Sequence, residues 1–231
     1  MFFAVAIDGP AGSGKSTITK RVAKELAFNY VDTGALYRSL TYNFLIQGLK
    51  ELNEEKIKKI LDNTKIKVYF DDFVQKQEIN EQDVTDKIRT SEVSTYTSLF
   101  AKSKNVRDFL INVQRGLANS CNVIMDGRDI GSVVLPNANV KIYLTASVEE
   151  RANRRYKEML KSGNCSDISI EEIQKQISQR DYQDENRDIA PLIMVEDAIK
   201  IDTTEFTIDE VVDKIKNIIL KKYEVTKCIS L

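Results

Sequence analysis

The sequence predicts an α/β fold in which a parallel five-stranded sheet lies between two layers of helices. Three observations lead to this prediction. Short apolar segments of strand type recur along the chain, segments with helical periodicity separate them, and a glycine-rich loop follows the first apolar segment. The length of 231 residues suits one such domain with an insertion, or two small domains. The predicted strands are residues 2–7, 28–31, 122–125, 140–145 and 198–201.

The glycine-rich loop fits the phosphate-binding pattern G-x-x-x-x-G-K-[ST] at every fixed position. Its backbone N–H groups would form a concave site for anions, next to the N-terminus of a helix. Lys15 would add a charge for the β- and γ-phosphates of a nucleotide. The alternative is a strand-to-helix turn without a ligand, but the predicted strand, loop and helix favour a three-layer P-loop NTPase-type fold. The loop residues are Gly9, Pro10, Ala11, Gly12, Ser13, Gly14, Lys15, Ser16 and Thr17.

Ser16 and Asp126 are the predicted metal-site residues. The Ser16 hydroxyl can ligate the Mg²⁺ that bridges nucleotide phosphates. Asp126 ends a buried apolar strand, where a carboxylate would hold Mg²⁺ through water or accept a hydrogen bond from Ser16. The alternative for Asp126 is a simple cap of the following turn. Asp8, just before the loop, has a similar but weaker claim.

Composition excludes several classes of function. Acidic and basic residues nearly cancel, with a net charge of −1, so we expect neither nucleic acid nor a membrane as a partner. The absence of histidine excludes histidine acid–base catalysis and histidine metal sites. Cys121, Cys165 and Cys228 are predicted to be reduced. The sequence shows neither a membrane-spanning segment nor a signal peptide, so we expect a cytoplasmic protein. We also expect a monomer.

The segments between the strands are predicted to be mainly helical. Residues 63–87 are the exception, since period-two alternation from Lys65 to Phe70 predicts a small β insertion outside the main sheet. One predicted helix starts near Ala35, and three more span residues 53–61, 91–98 and 104–118. Another begins at 149 and ends at a break over 161–164. The last two run from 170 to as far as Arg187, and onward from Thr207.

Arginines are concentrated where the predicted sheet would bind a ligand. Their planar groups suit bidentate phosphate binding. The alternative is a ladder of surface ion pairs, which accounts for most charged helices. It is weaker here because arginine outnumbers acid in the 151–155 cluster. The arginines concerned are Arg38, Arg128, Arg151, Arg154, Arg155, Arg180 and Arg187.

Five segments together resemble the bacterial-type cytidylate kinases, within the P-loop nucleoside monophosphate kinases. They occur in order over nearly the whole chain, as residues 9–17, 32–38, 88–93, 126–131 and 180–192. The resemblance implies a core of 1–34, 99–148 and 188–231, and a helical lid of 149–187. It also implies a nucleoside monophosphate-binding domain of 35–98, which includes the insertion.

The resemblance further implies transfer of the γ-phosphoryl group of ATP to CMP or dCMP, with Mg²⁺. It implies that Lys15, Arg128, Arg187 and Arg155 are catalytic, and that Arg151 and Arg154 join the loop in ATP binding. It assigns the acceptor phosphate to Thr33, Arg38, Arg128 and Arg187, the base to Ser98, Arg107 and Asp129, and the sugar to Arg180 and Asp184.

The residue types suit these roles. Cytosine carries an exocyclic amine that can donate to a carboxylate such as Asp129, whereas uracil presents a carbonyl there. Other classes of protein stay open at this point. They are a kinase of another nucleoside monophosphate or small molecule, and a catalytically inactive nucleotide sensor. A GTPase switch would carry an N-K-x-D motif, which is not found. A P-loop nucleic-acid-binding or motor protein would have a basic face, or an acidic pair after the Asp126 strand, where Gly127 and Arg128 stand instead.

Overall fold

The computed structural model describes residues 2–161 and 168–229 of the chain. Its central sheet has five strands, which are Ala4–Asp8 (β1), Asn29–Asp32 (β2), Val123–Gly127 (β6), Val140–Thr145 (β7) and Ile199–Asp202 (β8). They are parallel and lie in the order β2-β6-β1-β7-β8. This confirms the predicted α/β fold with a parallel five-stranded sheet.

Helices cover both faces of this sheet, and a short π-helical turn, Ile130–Val134, follows β6. The helices are Lys15–Leu26 (α1), Thr33–Ile46 (α2), Glu54–Leu61 (α3), Ser91–Phe100 (α4), Lys104–Ala118 (α5), Val148–Lys161 (α6), Ile170–Glu185 (α7) and Ile208–Ile229 (α8).

Alternate residues of the buried strand β1 face opposite layers. Val5 and Ile7 pack with the apolar faces of α1 and α8, whereas Ala6 packs with those of α2 and α5. Such alternation follows from the period of two along a strand. The two apolar layers together fix the strand ends, and therefore the loops that follow them.

A second, antiparallel sheet of three strands lies within the predicted insertion. The backbone N–H of Asp32, at the end of β2, donates to the side-chain oxygen of Gln75 at 2.7 Å, which ties the small sheet to the main one. The proposed division into core, monophosphate-binding domain and lid stays a prediction. The small sheet consists of Ile66–Asp71 (β3), Val74–Ile79 (β4) and Gln82–Asp83 (β5).

Some boundaries differ from the predicted ones. Helix α7 ends at Glu185 rather than Arg187, because Asn186 adopts a non-helical backbone conformation and caps it. The predicted break at 162–164 and Cys165 lie outside the described residues. Cys121 and Cys228 are free thiols. Within the described ranges, no helix combines the length and apolar character needed to cross a bilayer.

Candidate active site

The carboxyl ends of β1, β2 and β6 meet at one edge of the main sheet. Parallel registration places Asp126 beside both Ile7 and Asp32, and Gly127 beside Asp8. The glycine-rich loop, the start of α2 and the 127–131 turn follow these ends. They therefore converge on one crevice. In open parallel sheets, ligands bind in such a crevice beyond the carboxyl ends of the strands.

The loop from Gly9 to Gly14 requires glycine at its first position, because a side chain there would clash with the neighbouring strand. A Cβ atom at Gly9 would lie 1.9 Å from the carbonyl oxygen of Leu144, and the φ angle there is +150°. Gly14 caps α1 in the left-handed conformation with a φ of 85°. Lys15, Ser16 and Thr17 are therefore the first residues of α1, so the helix N-terminus opens at the phosphate-binding loop.

Lys15 is buried in the concavity of the loop. Its ammonium group donates to the carbonyl oxygens of Gly9 at 2.7 Å and Pro10 at 2.6 Å. Burial, and then the nearby charge of Arg128, lower the pKa of this lysine well below its ordinary value. The lysine is thus held at the loop by the loop's own backbone.

Ser16 and Asp126 are in direct contact, as predicted. The Ser16 hydroxyl donates to Asp126 Oδ2 at 2.7 Å, and the Tyr30 hydroxyl donates to Oδ1 at 3.1 Å. Burial, and then the negative charge of Asp32, raise the pKa of Asp126 to about 6. Hydroxyl and carboxylate oxygens are hard donors that Mg²⁺ prefers, so the pair fits this cation. Among the described residues, no group of three or more acidic or cysteine side chains forms a metal cage.

Asp8 has a structural role at this site, and its weaker claim to a metal role stays a prediction. Its two carboxylate oxygens accept hydrogen bonds from the backbone N–H groups of Ile130 at 2.8 Å and Gly131 at 2.7 Å. Burial raises the pKa of Asp8 to about 6 in spite of these hydrogen bonds. Asp8 therefore fixes the turn that carries Arg128 and Asp129 to the base of the glycine-rich loop.

Thr33 and Arg38 lie on α2, which follows the carboxyl end of β2. The Thr33 hydroxyl donates to the Asp126 carbonyl at 2.6 Å. Arg38 pairs with Asp32 at 2.8 Å, and Asp32 also caps α2 by accepting a hydrogen bond from the Ala35 N–H. The Arg38 Nε atom is buried, and no acceptor for it is found among the described residues.

Arg107 and Asp129 form a buried ion pair deeper in the crevice. Arg107 Nη1 lies 2.9 Å from Asp129 Oδ2, and the arginine lies over the ring of Tyr37. Arg187 Nη2 is 3.9 Å from Asp129 Oδ1 and, although buried, makes no hydrogen bond within residues 2–161 and 168–229. Burial, and then the charge of Arg107, lower the pKa of Arg187.

Arg128 and Asp184 join the 127–131 turn to helix α7. Arg128 Nε donates to Asp184 Oδ2 at 2.8 Å. Arg180 lies one turn before Asp184, and desolvation followed by the charge of Arg128 lowers the pKa of Arg180. Arg187 Nη1 is 3.8 Å from Asp184 Oδ1. Asp184 thus lies among three of the predicted arginines.

The arginines of α6 differ strongly from one another. Arg151 is buried against the loop, where it donates to the Ala11 carbonyl at 3.0 Å. Arg154 donates to the hydroxyl of Thr203 at 3.0 Å and to its carbonyl at 2.7 Å. Arg155 is exposed and pairs with Glu158 at 3.6 Å. Of the three side chains, that of Arg155 is therefore the least constrained by its surroundings.

Ser98 is a predicted site residue that the structure does not join to the others. Its side chain is exposed on α4, and no hydrogen bond within the described residues links it to the crevice. Thr17 is also exposed. The base-reading role of Ser98 and the ATP-binding role of Thr17 stay predictions.

Several residues that hold the site were not predicted from the sequence. Tyr30, Tyr37 and Asp181 contact Asp126, Arg107 and Arg151 respectively. Tyr30 and Tyr37 lie in segments dominated by apolar positions, which explains why their polar contacts were not predicted. Asp181 follows Arg180 directly, and an acid among predicted site arginines was a signal that could have been used.

Comparison with known proteins gives one family for this arrangement. The family model described as cytidylate kinase matches residues 5–221. A cytidylate kinase of Leuconostoc mesenteroides is 50% identical over 217 residues, covering 94% of this chain and 96% of the relative. The cytidylate kinase of Bacillus subtilis is 46% identical over 218 residues, covering 94% of this chain and 96% of its own.

A solved structure of an uncharacterized protein from Eubacterium ventriosum has the same fold. It covers 96% of this chain and 99% of its own, with a TM-score of 0.51 and 14% identity. That likeness concerns the fold alone. The match of the family model over most of the chain, together with relatives at about half identity, shows more: the chain belongs to the cytidylate kinase family.

Proposed function

We propose that this chain transfers the γ-phosphoryl group of ATP to CMP or dCMP in the crevice, giving ADP and CDP or dCDP. Family membership supports the reaction. The observation that carries the proposal for this crevice is that two arginine side chains have a buried nitrogen with no acceptor in the part of the chain that the structure describes. Arg38 Nε and Arg187 Nη2 are buried without a hydrogen-bond partner among the described residues, which is costly unless an anionic ligand accepts from them.

The donor nucleotide would bind at the glycine-rich loop. The loop N–H groups and Lys15 would hold the β- and γ-phosphates. Ser16 with Asp126 would hold Mg²⁺, since the two side chains already meet at 2.7 Å. When bound, Mg²⁺ neutralises charge on the phosphate oxygens. Arg154 supports the loop through Thr203, whose hydroxyl donates to the Ser13 carbonyl at 3.4 Å.

The acceptor phosphate would bind opposite this loop. Thr33 and Arg38 lie on α2 directly after β2, and Arg128 follows β6. Arg187 reaches the same region, since its Nη2 is 3.9 Å from Asp129 Oδ1. Arg38 and Arg128 each use one guanidinium nitrogen to pair with a carboxylate, that of Asp32 or Asp184. Guanidinium groups have further N–H groups in a fixed plane, so they can bind a phosphate as well.

The base would be read by the buried pair of Arg107 and Asp129. Asp129 would accept a hydrogen bond from the exocyclic amine of cytosine through Oδ1, because Oδ2 already accepts from Arg107. Uracil would set a carbonyl against the same carboxylate, and a buried mismatch of this kind excludes a ligand strongly. Ser98 would complete the base contact, and Arg180 with Asp184 would meet the sugar.

The transfer requires no general base, because the attacking oxygen belongs to an ionised phosphate. Positioning and charge stabilisation therefore account for catalysis. Lys15, Arg128 and Arg187 would offset charge as the phosphoryl group passes between the two phosphates. Arg155, exposed on α6, would join them when the helical lid covers ATP.

A panel of acceptors tests the proposal directly. Release of ADP is measured with CMP, dCMP, UMP, AMP and shikimate at equal concentration, with and without Mg²⁺. We expect CMP or dCMP to be used best and activity to require the cation. Preference for AMP, UMP or shikimate would contradict the assignment of the acceptor. The predicted monomer and cytoplasmic location remain part of the proposal and need a separate measurement of mass and of location.

A further inference from the structure

We propose that Arg151 is a positioning residue, which links the glycine-rich loop to helix α7 through Asp181 and thereby makes acceptor binding depend on donor binding. This inference rests on the proposed function. It gives Arg151 a role different from the direct contact with ATP that the resemblance implies. The link consists of one buried arginine, one carboxylate and one loop carbonyl.

Arg151 is buried, and its guanidinium group is surrounded by polar groups of the protein. Its side chain is 4% exposed and donates to the carbonyl oxygens of Ala146 at 2.9 Å and Ala11 at 3.0 Å. Its Nη1 atom is 2.6 Å from Asp181 Oδ2. A Cβ atom at Gly12 would lie 3.3 Å from the Arg151 Cβ, so the loop packs directly on this residue. The arginine is therefore engaged by the loop from one side and by α7 from the other.

Asp181 connects this contact to the acceptor side. It follows Arg180 and precedes Asp184 by three residues on α7, so it lies one turn from Asp184 on the same face. Asp184 in turn accepts from Arg128 at 2.8 Å. One helical turn therefore joins the Ala11 carbonyl, beside the donor site, to the arginines that would hold the acceptor. Asp181 Oδ1 is buried with no hydrogen-bond partner in the described part of the chain, so this carboxylate is held through the ion pair of Oδ2 with Arg151.

These contacts predict a physical coupling between the two substrates. A donor nucleotide that orders the loop also orders the Ala11 carbonyl, and hence the guanidinium that pairs with Asp181. Helix α7 is then held where Arg180 and Asp184 can meet the acceptor. By linkage, whatever factor the donor adds to acceptor affinity, the acceptor adds to donor affinity.

Titration calorimetry tests the coupling. The dissociation constant of CMP is measured alone and in the presence of a non-hydrolysable ATP analogue, for the wild type, Asp181→Asn and the matched variant Glu185→Gln. Glu185 is exposed on the same helix. We expect the analogue to tighten CMP binding about fivefold or more in the wild type and in Glu185→Gln. In Asp181→Asn the ratio of the two constants should fall close to one.

The ratio separates positioning from simple damage to the fold, because damage would weaken CMP binding equally in both titrations. Two further variants add a check. Asp181→Glu keeps the carboxylate and should recover part of the ratio. The double variant Arg151→Lys, Asp181→Asn should lose no more of the ratio than the more strongly affected of its two single variants. An unchanged ratio in Asp181→Asn, a ratio of one in the wild type, or additive losses would overturn the inference. Failure of the wild type to bind CMP at all would instead refute the proposed function.

Discussion

The proposed donor side and the proposed acceptor side of the crevice are built in different ways. On the proposed donor side, one continuous segment from Gly9 to Thr17 would supply the groups that contact the nucleotide, many of them backbone N–H groups. On the acceptor side, side chains from α2, α5, the 127–131 turn and the end of α7 form ion pairs with one another. The first is defined by local backbone conformation, and the second by long-range packing.

This difference determines how each side responds to change. A residue of the loop would act mainly through its own contact with phosphate. A residue of the acceptor side also leaves a charged partner behind when it is removed, and an uncompensated buried charge costs several kcal/mol. Substitutions on the acceptor side should therefore be read together with a measurement of stability.

Lys15→Ala is the substitution with the largest expected effect. It removes the ammonium that the loop holds at 2.7 Å from the Gly9 carbonyl, and with it a positive charge expected beside the transferred group. We expect the rate of CMP phosphorylation to fall on the order of 1,000-fold. Steady-state ADP release measures it, and Lys20→Ala, exposed on the same helix, serves as control. A loss below about tenfold would mean that the loop does not hold the reacting phosphate.

Arg128→Ala should separate the two sides. Arg128 pairs with Asp184, and its charge also lies near Lys15. We expect kcat/KM for CMP to fall about 100-fold, with a much smaller change in ATP-analogue affinity. Kinetics with CMP varied, and calorimetry with the analogue, provide the two measurements. Arg21→Ala, on the outer surface of α1, is the control. An equal loss of analogue affinity would place Arg128 on the donor side instead.

Asp129→Asn should relax the choice of base while the shape of the pocket is kept. An amide can present an N–H donor as well as an oxygen acceptor to the ring, so we expect the ratio of kcat/KM for CMP over UMP to fall at least about tenfold. Thermal unfolding must accompany the kinetics, because Asn leaves Arg107 with a weaker partner. Asp108→Asn, exposed on α5, should keep the ratio. An unchanged ratio in Asp129→Asn would remove Asp129 from base reading.

Asp8 lies where the two sides meet and should give the smallest effect. This effect is on how the free energy of unfolding depends on pH. Its folded-state pKa of about 6 exceeds the ordinary 3.8, so the folded state takes up the proton more readily. The contribution of this group to the free energy of unfolding therefore rises as pH falls through about 6, by on the order of 1 kcal/mol at pH 5 relative to pH 7. It is lost again as pH rises.

Urea unfolding of the wild type and Asp8→Ala at the two pH values isolates this contribution. The difference in unfolding free energy between the two proteins should be larger at the lower pH. The variant itself should be less stable at both, because the N–H groups of Ile130 and Gly131 lose their acceptors. A difference that shrinks at the lower pH would show that Asp8 is not buried as a carboxyl with a raised pKa.

The sequence predicted the parts of the site that depend on local structure. Apolar strands, a glycine loop and a helix are local patterns, and they were enough to predict that Ser16 lies near Asp126. The partners of Arg107 and Arg151 could not be found in that way. Each depends on how a helix packs against a segment far away in the chain. Only the resemblance pointed to Asp129, whereas Asp181 was not predicted at all.

The position of β1 in the sheet has a consequence for synthesis of the protein. Although β1 precedes β6 and β7 in the chain, it lies between them, and its start is fixed by hydrogen bonds from Phe3 to Asn122 and from Ala4 to Asn139. The ribosome must therefore release more than half of the chain before the strand that leads into the glycine-rich loop can pair on either side. Until then its apolar residues have neither neighbouring strand to pack against, and non-local pairing of this kind slows folding.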